Sequence, residues 1–257
     1  LPQMFAKDHN FRALPAIAKK PFRDQWEEIK PKESNPRYKV AIFSGCVQDF
    51  VYPEQLKAAV EVIAGHGAEL DYPMDQSCCG LPVQMMGEKK AAKDVAMQNV
   101  TAMEPSEYDY ILTLCASCAS HLKHNYPKLL KNETGISQVK VEQFADRVIS
   151  FSSFLHDVLK IEPKEFKTQG KKTTYHAPCH LCRGMGVTEA PRDMITTAGL
   201  DFAPADEEQT CCGFGGTYSS KFPELSQEIL NKKLDDFKKT GAEQLVTECP
   251  GCVMQLR

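Results

Sequence analysis

Ten of the eleven cysteines in this 257-residue chain fall on one pattern written twice. The first copy is Cys46, then Cys78-Cys79-Gly80, then Cys115 and Cys118. The second is Cys179, then Cys211-Cys212-Gly213, then Cys249 and Cys252. As spacings they read C-x31-CC-x35-CxxC and C-x31-CC-x36-CxxC, so a shift of 133 residues, or 134 for the last pair, lays one on the other. A repeat at fixed period means two copies of one structural unit. Five thiols per copy offer three chemistries. A disulfide framework suits short secreted chains with small cores, whereas this chain is long and 42% hydrophobic. Structural zinc takes four ligands, and each set offers five, two of them adjacent. Iron held with inorganic sulfide by thiolates accommodates more ligands and scattered spacing, and the counts favour it.

Other residues compete for a role. Cys182 stands outside the pattern and forms a second CxxC with Cys179, but the first copy has Asp49 at the matching place, which favours a buried bystander. His176 and His180 flank Cys179 in YHAPCHLCRG; a histidine there can donate to sulfur or carry a proton, although packing or backbone capping is the commoner use. Arg183 is a candidate anion contact. Met85, Met86, Met97 and Met103 read as core or gap filler. No phosphate loop, serine nucleophile elbow or paired carboxylates stand in a convincing context, so no catalytic residue is assigned.

The elements around the thiols alternate between strand and helix patterns. Residues 1–37 form an arm broken by Pro15, Pro21, Pro31 and Pro36, with Phe22 and Trp26 to pin it to a globular surface. In the first unit, 38–131, YKVAIFSG reads as a buried strand that delivers Cys46. A helix starts at Pro53, a strand over 68–72 precedes the Cys78-Cys79 loop, a helix covers 88–103, and a strand over 108–114 delivers Cys115. A connector, 132–171, carries an apolar helix over 148–159. In the second unit, 172–257, a strand over 172–176 leads to Cys179 and a helix covers 189–198. A strand over 200–203 precedes the Cys211-Cys212 loop, a helix over 223–239 puts Leu225, Ile229, Leu230, Leu234 and Phe237 on one face, and a strand over 244–247 delivers Cys249. The expected fold is α/β: two pseudo-symmetric repeats, each a small parallel sheet flanked by helices, with the cysteines at strand carboxyl ends, where open parallel sheets collect ligands. Glycines beside the paired cysteines let backbone N–H groups approach sulfur.

A net charge of -3 with dispersed lysines gives nucleic acid no footprint, and the apolar runs are too short to span a bilayer.

The two cysteine sets resemble the duplicated cysteine-rich, or CCG, domain of heterodisulfide reductase. The stretches FSGCVQDFVYPEQ, DQSCCGLP, CASCASHLKHNYPKLL, TCCGFGGTYSSKFPELS and ECPGCVMQL are most similar to its lactate utilization branch, which includes iron–sulfur subunits of glycolate oxidase. FRALPAIAKKPFRDQW is similar to the linker that follows a ferredoxin-like module in fused relatives. The resemblance implies two iron–sulfur clusters of the non-cubane four-iron, four-sulfur type. Cys46, Cys78, Cys79, Cys115 and Cys118 would hold one; Cys179, Cys211, Cys212, Cys249 and Cys252 would hold the other; zinc is the alternative in one set. It further implies electron transfer for oxidation of a 2-hydroxy acid such as L-lactate, with a ferredoxin-like module, a flavin or other dehydrogenase subunit and a quinone-reducing membrane partner. The implied setting is cytoplasmic, at the inner face of the membrane through partners. Disulfide reduction, as in heterodisulfide reductase, and a non-catalytic zinc-containing docking platform are the alternatives. Relatives usually extend past the last CxxC, so a truncated carboxyl terminus is expected.

Overall fold

The computed structural model describes residues 15–162 and 170–257; residues 1–14 of the arm lie outside them. Among the described residues seven strands form two parallel sheets. The first contains β1 (Tyr38–Ile42), β2 (Ala68–Asp71), β3 (Tyr110–Thr113) and β4 (Val148–Ser150), in the order β2-β1-β3-β4. The second contains β5 (Lys172–Tyr175), β6 (Asp201–Phe202) and β7 (Gln244–Val246), in the order β6-β5-β7. The pairing of Ile42 opposite Leu112 recurs in the second sheet as Tyr175 opposite Val246, while Val40 opposite Leu70 becomes Thr173 opposite Phe202, offset by one residue from the shift. Each repeat thus places its first strand between its second and third. That order makes the gap between first and third strands a switch point, where the crossovers leave to opposite sides and a crevice opens at the carboxyl ends.

The helix over Pro53–Ile63 forms because Leu56, Ala59, Val60 and Ile63 recur at helical spacing, and all four are buried against the first sheet. Proline at its first turn lacks only an N–H that would have no partner there. The helix Lys89–Ala102 buries Ala92, Ala96 and Val100 in the same manner.

Three expectations need correction. The connector's apolar segment is not one helix: Val148–Ser150 becomes β4, paired parallel to β3, and the helical turns follow over Phe151–Leu159. A short apolar run does not reveal by periodicity whether it is a buried strand or a helix, and here the open edge of β3 decides. Met85 and Met86 are exposed, at 67% and 64%, instead of core, while Met103 is fully buried. The helix Pro223–Lys239 exposes Leu225 and buries Lys233 and Asp236, so its inner face is partly polar.

The arm is held as expected by its aromatic residues. Phe22 and Trp26 are buried with their rings 5.2 and 5.9 Å from that of Tyr72. Asp49, fully buried, accepts from Arg23 Nε at 2.6 Å, the Arg23 backbone N–H at 3.0 Å and the Tyr72 hydroxyl at 3.0 Å. The position that Cys182 occupies in the second repeat therefore serves as the arm's anchor in the first. Trp26→Ala should cost about 3–5 kcal/mol, read as a lowered melting temperature and earlier proteolytic cleavage within residues 15–37.

The repeats meet through the helix Ala116–Ser120 of the first and the helical segment His180–Met185 of the second. Gly184 permits the close approach, since a Cβ there would meet Ser120 Oγ at 2.5 Å. Glu248 ties the two together: its carbonyl accepts from Ala116 N–H at 2.9 Å and its carboxylate from Ser152 N–H at 3.0 Å.

Candidate metal centre

Each cysteine outside the two adjacent pairs lies at the start or in the first turn of a helix that follows a strand. Cys46 lies in the first turn of the helix Gly45–Phe50, just past β1, so the strand stops three residues before the sequence pattern suggests. Cys115 caps the helix Ala116–Ser120, its Sγ accepting from Cys118 N–H at 3.4 Å. Cys249 stands at the matching start of the helix Pro250–Leu256. The paired cysteines follow β2 and β6 in loops whose glycines have left-handed backbones: Gly80 N–H points to Cys78 Sγ at 3.5 Å and Gly213 N–H to Cys211 Sγ at 3.4 Å.

All ten cysteines of the pattern come together in this way. All eleven thiols are free. In the first repeat, neighbouring sulfurs run Cys46 to Cys78 to Cys79 to Cys118 to Cys115, each close enough to perturb the ionisation of the next. In the second they run Cys179 to Cys211 to Cys212 to Cys252 to Cys249, with Cys212 Sγ 3.4 Å from Cys252 Sγ. Cys115 also reaches Cys249. Ser117 Oγ lies beside both, 3.1 Å from one Sγ and 4.0 Å from the other. The ten sulfurs form one continuous chain across the boundary between repeats. Cys46 and Cys211 are exposed, Cys78 and Cys179 half-buried, and the other six buried.

The electrostatics follow from crowding. The Cys78 thiol is pulled down to about 2 by Cys46, Cys79 and the Gly80 N–H. Cys211 is pulled down to about 2 by Cys179, Cys212 and the Gly213 N–H. Their neighbours are pushed the other way, Cys46 and Cys179 upward by Cys78 and Cys211 and then by burial. The first set holds one easily formed thiolate and resists the next; the second holds two, Cys211 and Cys249, the latter pulled down by Cys115 and Cys252. Full ionisation needs positive charge placed among the sulfurs, which is what a metal supplies. A run of five sulfurs also fits an extended multi-iron group better than one tetrahedral ion, which leaves a thiol over. The residues present therefore fit an iron–sulfur group in each repeat.

Several supporting residues carry no sequence signal of their own. Asn99, buried, accepts from Ser77 N–H at 2.8 Å and donates to Cys78 O at 2.9 Å, while the Tyr126 hydroxyl donates to Cys79 O at 2.9 Å. Gln76 joins the loop to β1, accepting from Ser44 N–H at 2.9 Å and donating to Ile42 O at 2.9 Å. In the second repeat Ser226 Oγ donates to Gly213 O at 2.8 Å and Asp236 accepts from Glu207 N–H at 2.8 Å. The buried Lys233 ammonium donates to Glu207 O and lies 4.7 Å from the Phe237 ring centroid. Only tertiary contact identifies these residues, because polar side chains at helical positions look the same whether they face solvent or a loop.

The remaining candidates separate. Cys182 is buried among Tyr175, Ala177 and Ile195, its Sγ 4.0 Å from the carbonyls of Ala177 and Cys179. Arg183 donates to Gln209 O at 3.2 Å at the edge of a cavity of about 550 Å³ that it shares with Arg192, Glu207 and Glu208. His180 Nδ1 lies 3.8 Å from Cys179 Sγ. His176 is buried, and neither ring nitrogen makes a hydrogen bond. Burial, aided by Lys233, pushes it down to about 4. His121, also buried, bonds Asn125 through Nδ1 at 3.0 Å and leaves Nε2 unpartnered. Among the described residues no helix is long and apolar enough to cross a membrane.

The comparisons agree with this arrangement. Residues 40–123 and 173–257 match the CCG family, described as a cysteine-rich domain. The chain is 35% identical over 219 residues to lactate utilization protein A of Geobacillus sp., covering 85% of this chain and 90% of that protein. The same identity over 219 residues relates it to lactate utilization protein A of Bacillus licheniformis. It is 33% identical over 230 residues to a fumarate reductase (CoM/CoB) subunit of Methanothermobacter marburgensis, covering 89% of this chain and 44% of that protein. Two family matches fall on the two structural repeats, each bringing its own five thiols together at the ends of parallel strands, so the chain belongs to the CCG cysteine-rich-domain family.

Proposed function

We propose that this chain is the iron–sulfur electron-transfer module of a complex that oxidises a 2-hydroxy acid, with L-lactate the substrate of the partner dehydrogenase. Cys46, Cys78, Cys79, Cys115 and Cys118 hold one cluster, and Cys179, Cys211, Cys212, Cys249 and Cys252 hold the other, each in the non-cubane form. The observation that carries this reading is the run of ten neighbouring sulfurs, in which Cys115 and Cys249 perturb one another across the boundary between repeats, as two adjoining one-electron sites require. Oxidising a 2-hydroxy acid to a 2-oxo acid releases two electrons and two protons, and two adjoining sites match the electron count. The similarity to lactate utilization protein A supports the substrate class. The donor is a ferredoxin-like module on the dehydrogenase side, and the acceptor a quinone-reducing partner. The protein's own part is to fix the sulfurs, to direct N–H groups of Gly80 and Gly213 at the ionised thiols, and to exclude water from six of ten ligands.

A second reading, reduction of a disulfide at one of these sites, draws support from the exposure of Cys46 and Cys211, which leaves one sulfur per set open to a thiol substrate. Anaerobically purified protein should contain about eight irons and eight acid-labile sulfides per chain, from two four-iron clusters, with paramagnetic resonance on reduction. Zinc without sulfide overturns the proposal in favour of a docking platform. Turnover of disulfides with a reduced dye, in iron-loaded protein, favours the second reading.

A further inference from the structure

The two sites are not chemically equal. His176 follows β5 directly, and its counterpart 133 residues earlier is Phe43, a fully buried hydrocarbon. His176 is 1% exposed, with both ring nitrogens lacking a hydrogen-bond partner. A buried polar group left unpaired costs about 1–3 kcal/mol, so a native protein keeps one only where something satisfies it. The ring is aimed at sulfur: a His176 nitrogen, Cys212 Sγ and Cys252 Sγ all lie within 4.8 Å of one another, and they form the trio of that kind found among the described residues. Ligand atoms around one tetrahedral ion, with metal bonds of about 2.0–2.3 Å, stand roughly 3.5 Å apart. A small inward movement of the ring and thiols would close the trio on a metal. The Glu208 backbone carbonyl approaches the ring without completing a bond. That is the kind of acceptor which fixes the tautomer of a metal-bound imidazole.

Resting on the proposal that each repeat holds metal, we infer that His176 is a nitrogen ligand of the second site, joining Cys212 and Cys252 on one metal ion. The first site has Phe43 at the matching position; its own buried histidine, His121, lies near Cys78 with Nε2 unpartnered but forms no such trio with two sulfurs among the described residues. The fixed cation Lys233 lies behind the Phe237 ring, which meets His176 edge-on at 6.2 Å; its counterpart 134 residues earlier is the neutral Asn99. On that ion imidazole takes a coordination position that only sulfur fills in the first site, which raises the potential of an iron–sulfur centre, and a nearby buried cation acts in the same direction. The second site is therefore the more easily reduced, and electrons entering at the first run toward it.

Co²⁺ binding to metal-free, reduced full-length chain tests the ligand without requiring iron. Two variants separate ligation from packing: His176→Phe, which installs the residue of the first repeat, and His176→Cys, which keeps a donor. Ligation predicts that His176→Phe weakens the tighter Co²⁺ phase at least tenfold and shifts its visible absorption, while His176→Cys restores affinity with a more sulfur-rich spectrum. Packing predicts the reverse order, with Phe tolerated and Cys not. That order, an unshifted spectrum in His176→Phe, or loss in both variants overturns the assignment. In iron-loaded protein, pulsed resonance should show a strongly coupled nitrogen that disappears in His176→Phe. The ratio of reduced second site to reduced first should fall about tenfold, equivalent to about 59 mV for a one-electron couple. Absence of iron and sulfide in every variant would defeat the electron-transfer reading while leaving the Co²⁺ result to decide on His176.

Discussion

Cys212→Ala is expected to remove the iron and sulfide of the second repeat and leave those of the first, halving the metal content of the purified chain. Cys212 is an interior link. Its sulfur lies 3.4 Å from Cys252 and beside Cys211, so its loss divides the run into Cys179 with Cys211 and Cys252 with Cys249, neither of which encloses an ion. Cys79→Ala is the mirror experiment, since Cys79 alone joins the Cys46–Cys78 end to Cys118 and Cys115. The two single variants should be distinguishable by which resonance signal survives. The proximity of Cys115 to Cys249 adds a second readout: in the reduced wild type the two paramagnets should broaden one another, and each variant should leave a sharp, uncoupled signal. Cys182→Ala is the control. Its sulfur faces two backbone carbonyls and none of the ten others, so iron content should not change. If Cys212→Ala retained full iron, or Cys182→Ala lost it, the ten-sulfur arrangement would be wrong.

The site was far more legible in the sequence than the elements around it. C-x31-CC written twice marks two units and ten thiols from residue type and spacing alone, which need no knowledge of how the intervening helices pack. The strands that deliver Cys46, Cys115, Cys179 and Cys249 were legible too, because short apolar runs stop where the thiols begin. Missing were features decided by tertiary neighbours. Val148–Ser150 is a strand because β3 presents an open edge. Lys233 is buried because Glu207 O and the Phe237 ring receive its ammonium. Met85 and Met86 stand exposed because the helix Leu81–Met85 is one short turn at the rim of the paired-cysteine loop, with no layer over it. His176 was visible as a candidate beside Cys179. Only the unpartnered nitrogens and the missing counterpart in the first repeat separate it from an ordinary packed ring.

Gly213→Ala is expected to cost about 2–5 kcal/mol, the sum of forcing a side-chain residue into a left-handed backbone and overfilling a packed site, and to abolish the second centre. Gly213 has φ +88, and an added Cβ would lie 2.7 Å from the Ser226 carbonyl oxygen and 3.2 Å from both Gln255 Nε2 and Ile229 Cβ. The closest obstacle is helix backbone, which cannot rotate aside as a side-chain tip can. Relief requires the loop to lift from the helix Pro223–Lys239, breaking the Ser226 Oγ bond to Gly213 O and withdrawing the N–H that steadies the Cys211 thiolate. Metal binding and stability should therefore fall together, the second-site signal disappearing and the melting temperature dropping. Gly216→Ala isolates the backbone effect, because Gly216 has φ +60 and nothing within 4 Å of an added Cβ. It should lose about 1–2 kcal/mol and keep its iron. Equal damage from both substitutions would show that backbone conformation alone shapes the loop, and that Ser226 does not hold the paired cysteines in place.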